Sequence, residues 1–248
     1  MKIILCGCLG RMGTAITDMV ATTTGVEIVL GIDTIQPKTP RSYPVEQQLT
    51  DIKADVLISY VPPQATSSTE IIDYCVANKI PVIICTTAMS PQFESAMKKA
   101  TETIPVFHSA NMAFGVTVLN KMLEDYSALL YNANFDIELV EKHHNKKLDA
   151  PSGTAVKLLD TIQKQVPATI TTDRTLEKME RQRKEIGVHA IRGGSIVGEH
   201  SVIFAGPRET IEISHTAISR EVFAEGTLRA AHFIINKPPG MYEMRDLL

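Results

Sequence analysis

Apolar residues in the first hundred positions fall into short, nearly continuous runs, with stretches of helical spacing between them. The runs cover Lys2 to Cys6, Glu27 to Ile32, Asp55 to Val61, Val82 to Cys85 and Pro105 to Phe107. Between the first two, Ile16, Met19 and Val20 share one helical face over Thr14 to Ala21, and Thr66 to Asn78 reads as a second helix. Ser90-Pro91 opens a third, a capping residue followed by proline at the first helical position. Apolar strands separated by helices predict a parallel sheet covered on both faces, since a strand buried on two sides does not alternate. Thr34 to Thr50, interrupted by Pro37, Pro40 and Pro44, is expected to be a surface loop.

Beyond about residue 115 the pattern changes. A helix from Val116 to Tyr131 precedes strands at Phe135 to Glu141, His189 to Arg192, Ser195 to Phe204 and Thr210 to Ala217. Successive strands with interspersed charges predict an open, mostly antiparallel sheet with one face suited to a partner chain. A last helix, Glu221 to Ile235, is expected to return to the first domain. The fold class that follows is an α/β Rossmann-type nucleotide-binding domain plus an α+β domain with an open mixed or antiparallel sheet. The expected division is 1–114 with 220–248 for the nucleotide and 115–219 for substrate and oligomerisation.

The nucleotide assignment rests on Gly7-Cys8-Leu9-Gly10-Arg11-Met12-Gly13, between the first strand and the first helix. Glycines there let backbone approach a pyrophosphate, which rests on the helix N-terminus. The spacing departs from the usual three-glycine fingerprint, but Asp33 ends the second strand about twenty positions past Gly13, where an acid binds ribose hydroxyls. A carboxylate there repels a 2′-phosphate, so NADH is favoured over NADPH; Arg11 and Lys38 leave the second cofactor open. Two loops at the carboxyl ends of later strands, Cys85-Thr86-Thr87-Ala88 and Ser109-Ala110-Asn111-Met112, are expected at the nicotinamide end. Taken alone, each also reads as an ordinary strand-to-helix connection.

Composition narrows the partners. The net charge is −3 with 21% charged residues, which argues against a nucleic-acid footprint. No apolar run approaches the roughly 18 residues of a membrane span, and the apolar start is too brief for a signal core. Cys6, Cys8, Cys75 and Cys85 lack paired metal spacing, and three lie in or beside apolar runs. A reduced, soluble, cytoplasmic protein is expected.

Against that background, Glu141 to Ala155 stands out. It holds two histidines, three lysines, two carboxylates and a helix-opening Pro151-Ser152-Gly153-Thr154. Cations beside a helix N-terminus form a receptor for a small carboxylate. Plainer readings exist: one packed and one solvated histidine, and a solvated face of Lys142, Lys146 and Lys147. Glu141, His143 and His144 as metal ligands fit no common zinc arrangement, so no metal is expected. His189, His200, His215 and His232 read as structural or interfacial, and Asp149 as a turn organiser.

Taken together, these segments resemble the dihydrodipicolinate reductase family along the whole chain. The resemblance is carried by Gly7-x-x-Gly10-Arg11-Met12-Gly13, Thr86-Thr87, Ser109-Ala110-Asn111 and Glu141-x-His143-His144-x-x-Lys147-x-Asp149-Ala150-Pro151-Ser152-Gly153-Thr154-Ala155. It continues in Ile191-Arg192-Gly193-Gly194, Ile196-Val197-Gly198-Glu199-His200 and Pro239-Gly240-Met241-Tyr242. It implies reduction of a cyclic dicarboxylate by NADH or NADPH with loss of water, in a homotetramer assembled through the second domain's sheet. It also implies His143 as acid–base residue and Lys147 as second proton donor, with His144, Gly153 and Thr154 on the substrate. The implied cofactor contacts are Gly7, Cys8, Leu9, Gly10, Arg11, Met12, Asp33, Cys85, Thr86, Thr87, Ser109, Ala110, Asn111 and Met112.

Two departures bear on the cofactor. Cys85 and Ala88 stand where the family has glycines, and Ser59-Tyr60 replaces Asp-Phe. Neither removes a proton donor, so cofactor affinity is affected more than reaction type. The rivals are a nucleotide-sensing module without turnover and another two-domain dehydrogenase. An aldehyde-oxidising enzyme would require an activated cysteine.

Overall fold

The computed structural model describes residues 1–248 except 63, 64, 66, 87, 88 and 175–178, and the side chain of Ser67. In chain order the elements are β1 (Lys2–Cys6), α1 (Arg11–Thr22), β2 (Glu27–Ile32), β3 (Val45–Glu46), β4 (Val56–Ser59), α2 (Ser67–Asn78), β5 (Val82–Ile84), α3 (Pro91–Ala100) and β6 (Pro105–His108). Then come α4 (Phe114–Asn132), β7 (Asp136–His143), α5 (Gly153–Gln165), β8 (Thr169–Thr171), β9 (Glu185–Arg192), β10 (Gly198–Ala205), β11 (Thr210–Ala217), α6 (Glu221–Ile234) and β12 (Gly240–Tyr242). A 3-10 turn, Met244–Leu247, follows β12. These elements form two compact units: Met1–Phe114 with Arg220–Leu248, and Gly115–Ser219.

The first unit is a seven-stranded sheet in the order β12-β6-β5-β4-β1-β2-β3, with every pairing parallel. Ile3, Ile4, Leu5 and Cys6 of β1 are fully buried because neighbouring residues feed opposite layers. Ile3 and Leu5 pack with Ile16 of α1 and Leu228 and Ala231 of α6. Ile4 and Cys6 pack with Ile72 of α2 and Phe93 and Met97 of α3. The strand order reverses between β1 and β4, the position where open α/β sheets leave a crevice for a ligand. Helix α3 begins where the sequence predicts, with the Ser90 hydroxyl accepting from the Phe93 amide at 3.2 Å and Pro91 next. The expected loop over 34–50 contains β3, because the Gly31 amide donates to Pro44 and the Asp33 amide to Glu46. A neighbouring strand supplies that pairing; the local apolar pattern does not.

The second unit is a five-stranded sheet in the order β11-β10-β7-β9-β8. Its described pairings are antiparallel at β11-β10 and β10-β7 and parallel at β7-β9 and β9-β8. The sheet is therefore mixed, one of the two arrangements expected, with fewer antiparallel pairs than the charge pattern alone suggests. Helix α5 returns the chain so that β8 runs parallel to β7, and the connection from β8 to β9 returns it once more, so β9 is parallel to both. Strand β9 begins earlier than expected, at Glu185, and β10 later, at Gly198, after the turn through Gly193 and Gly194. Strand β7 alternates strictly, with Ile137, Leu139, Glu141 and His143 buried. The apolar members pack with Leu119 and Leu123 of α4, Leu158 and Ile162 of α5, and Val202 and Phe204 of β10. On the other face, Glu138 Oε1 accepts from Arg181 Nε at 3.0 Å, and the Ser201 and Ser214 hydroxyls meet at 2.7 Å.

Candidate functional site

The loop shows why two of its glycines, Gly7 and Gly13, are needed. Gly7 has φ +77°, a left-handed conformation that side chains disfavour. A Cβ at Gly13 would overlap the Gly7 carbonyl oxygen and lie 2.6 Å from Cys8 Cα, so only glycine lets α1 start this close to β1. The helix opens at Gly10 with no side-chain cap and no acid in its first turn, which leaves its amide end suited to an anion. Asp33 fastens the loop: one carboxylate oxygen accepts from the Leu9 amide and the other from the Thr34 amide, each at 2.9 Å.

A cavity of about 810 Å³ opens at this point. Gly7, Leu9, Gly10, Arg11, Met12 and Asp33 all line it. Cys8 does not: it is fully buried, and burial first of all pushes its thiol up to about 11. Lys38 is also absent from the cavity wall. A dinucleotide fits this cradle, on the evidence of the glycine clash and the uncapped helix end.

The two later loops follow β5 and β6, and their described residues, Cys85, Thr86 and Ser109 to Met112, lie off the wall of this cavity. Cys85 Sγ lies 3.9 Å from the Thr227 hydroxyl, which Tyr60 Oη meets at 2.7 Å. Burial pushes the Cys85 thiol up to about 12, the opposite of an activated nucleophile. The Thr86 carbonyl meets His108 Nε2 at 3.2 Å. Thr87, with Ala88, lies outside the described residues. The second loop is self-tied: Ser109 Oγ donates to the Asn111 carbonyl at 2.7 Å, and Asn111 Oδ1 accepts from Ala113 N at 2.9 Å. Ala110 is exposed and Met112 is buried.

In the second unit, the alternation of β7 turns Glu141 and His143 inward and Lys142 outward. Glu141 is fully buried and accepts four hydrogen bonds. Arg192 donates from Nη1 at 2.8 Å and from Nη2 at 2.7 Å, His143 Nδ1 lies at 2.6 Å, and Ser152 N donates at 3.0 Å. Burial alone would raise its pKa; the hydrogen bonds from Arg192, His143 and the Ser152 amide together bring it below the usual carboxylate value. Parallel pairing sets Arg192 opposite His143, and the Gly193 amide donates to the His143 carbonyl at 2.9 Å.

Ser152 caps α5, its hydroxyl accepting from Ala155 N at 3.2 Å and lying 3.0 Å from His200 Nε2. The His200 ring stands edge-on to His143 with centroids 5.2 Å apart. Burial, then the neighbouring His143, lowers His200 to about 4, so it is neutral at neutral pH. Gly153 is exposed with open space around it, and Thr154 and His144 are half-buried. Lys147 Nζ sits 2.9 Å from Asp149 Oδ1, and this pairing is the main cause of the lowered Asp149 pKa.

One cluster therefore joins His143 to the head of α5, with Lys147 on the connecting loop. The pairing of Arg192 and the buried role of Glu141 escape the sequence reading, which takes His200 as structural or interfacial without finding its tie to Ser152. The available signal was a carboxylate two positions before a histidine in an alternating strand, which demands a cation on the same buried face. Glu141 is committed to Arg192, and among the described residues no three His, Cys, Asp or Glu side chains are grouped to hold a metal.

Comparison with known proteins divides the chain near the same point, although the second family model also takes in 220–248, which belong to the first unit. Residues 1–112 match the family model described as dihydrodipicolinate reductase, N-terminus, and residues 115–248 match its C-terminus counterpart. A 4-hydroxy-tetrahydrodipicolinate reductase of Clostridium novyi is 44% identical over 250 residues, covering 100% of this chain and 98% of that protein. One from Clostridium tetani is 44% identical over 259 residues, covering 100% and 96%. Among solved structures, a dipicolinate-bound dihydrodipicolinate reductase from Paenisporosarcina sp. TG-14 superposes with a TM-score of 0.83 at 22% identity, covering 100% of this chain and 99% of that one. A probable dehydrogenase from Thermotoga maritima gives 0.66 at 9% identity, covering 100% and 92%, a likeness of fold alone.

Proposed function

The chain belongs to the dihydrodipicolinate reductase family, and on that premise we propose how its residues carry out the family's reaction. The protein is an oxidoreductase: it reduces 4-hydroxy-tetrahydrodipicolinate to tetrahydrodipicolinate with loss of water, in lysine and diaminopimelate biosynthesis, with NAD(P)H as hydride donor. The observation that carries the residue assignments is the Glu141–His143–Ser152 cluster, which ties an ionisable ring to a helix N-terminus.

Reduced nicotinamide supplies a hydride when bound. In the first unit, Gly7, Leu9, Gly10, Arg11, Met12 and Asp33 hold the dinucleotide, and the loops of Cys85 to Thr87 and Ser109 to Met112 serve its nicotinamide end. Asp33 favours NADH over NADPH, since both its oxygens are fixed by amides and its charge repels a 2′-phosphate. In the second unit, Gly153 and Thr154 amides, with His144, receive a substrate carboxylate. Loss of the hydroxyl as water leaves a conjugated system, and hydride addition builds negative charge on it. His143 delivers the proton that quenches this charge, and Lys147 is the second donor once it leaves Asp149. The reading also places the protein in the cytoplasm, as a homotetramer joined through the open face of the five-stranded sheet. No helix among the described residues is long and apolar enough to cross a membrane.

The test follows the loss of reduced-nicotinamide absorbance with freshly generated substrate, using NADH and NADPH in turn. Turnover with both and a higher kcat/KM for NADH is expected. Binding of both without oxidation of either would favour the nucleotide-sensing module.

A further inference from the structure

A carboxylate as buried as Glu141 is costly unless paired, and the two-pronged contact with Arg192 already pairs it. Its remaining lone pairs are filled by His143 Nδ1 and the Ser152 amide, two groups of the site itself. They link the proposed proton donor to the helix end proposed to receive the substrate carboxylate. Glu141 is held ionised by Arg192 and its other donors, and an ionised carboxylate only accepts. His143 Nδ1 must then be the nitrogen that carries hydrogen toward it.

That leaves Nε2 as the ring nitrogen free to exchange a proton. It faces Gly198, where a Cβ would come within 3.1 Å, so glycine there keeps the working side of the ring clear. The edge-on ring of His200 limits tipping on another side. We propose that Glu141 is a positioning residue for the reduction: it fixes His143 as the Nδ1–H tautomer with Nε2 toward the substrate, and ties that orientation to the Ser152 cap of α5. The inference rests on the reading of His143 as the proton donor, and its tests separate the two.

In the wild-type protein labelled with ¹⁵N-histidine, the neutral His143 ring, assigned by its loss in His143→Ala, is expected to show the Nδ1–H pattern. A dominant Nε2–H form overturns the proposal, and this readout needs neither turnover nor a folded Glu141 variant. Glu141→Gln is expected to lower kcat on the order of 10²-fold, within the range of misaligned acid–base groups, with KM for substrate moved by less than about threefold. An unchanged kcat overturns it, as does a loss confined to KM. If the wild type fails to turn over the substrate while His143 is still the Nδ1–H tautomer, the functional reading fails and the geometry of Glu141 stands.

Discussion

The glycine loop and the β7–α5 segment both prepare the chain for anions, by opposite means. The loop uses absence: no side chain at Gly7 or Gly13, no cap and no acid at the start of α1. Its one committed side chain, Asp33, is spent on backbone amides. The β7–α5 segment uses presence: a buried Glu141 with four donors, the His143 ring and a capping serine that meets His200 of β10. Space and backbone tolerate almost no change of shape. A side-chain network tolerates shape but not a change of charge or tautomer. A cradle for a large shared cofactor suits the first device, and moving a proton needs the second.

The contrast is sharpest in His143→Ala and Lys147→Ala. Each is expected to lower turnover by about 10² to 10⁴-fold with NADH affinity unchanged; unaltered turnover in both would break it, by stripping the second region of its chemistry. Next comes Gly13→Ala, whose Cβ meets backbone and not a flexible side chain. A stability loss of about 1–3 kcal/mol, with weakened NADH binding, is expected in denaturant titration, and normal binding would show that the loop does not work through space.

A smaller effect concerns the neutral His200. Unfolded, it takes a proton as pH falls through about 6.5, whereas in the folded protein it resists until about 4. The unfolded state binds more protons in that window, so stability falls as pH drops from about 6.5 toward 4. Urea midpoints at neutral pH and near pH 4.5 should give the wild type about 2 kcal/mol more loss than His200→Gln; parallel curves would mean that the ring is solvated. Smallest is Asp33→Ala, expected to weaken NADH about tenfold, as one lost charged contact does, and NADPH less. The reverse order, read by fluorescence titration, would remove Asp33 from cofactor choice.

The two regions also differ in how far they can be read. Gly7, Gly10, Gly13 and Asp33 follow one another in strand, turn, helix and strand, so local order reveals the cradle. Arg192 is far from Glu141 along the chain, and nothing near either residue announces the pair. His200 reaches Ser152 only because β10 lies against β7 in one register, His200 opposite Glu141. Which pairs of the second sheet run parallel, and the two-residue β3, were likewise hidden, because strand direction and edge pairing belong to neighbours and not to apolar periodicity.

By itself, the sequence determined the alternation of buried strands and helices in the first unit, the glycine loop and the inward face of β7. Those are set by side-chain volume and period, which are local properties. Only the tertiary structure decided which cation meets Glu141, which nitrogen of His143 faces it and which residues of the glycine loop line the cavity. Each depends on groups far apart in sequence, whose burial makes an unpaired charge too costly to leave alone.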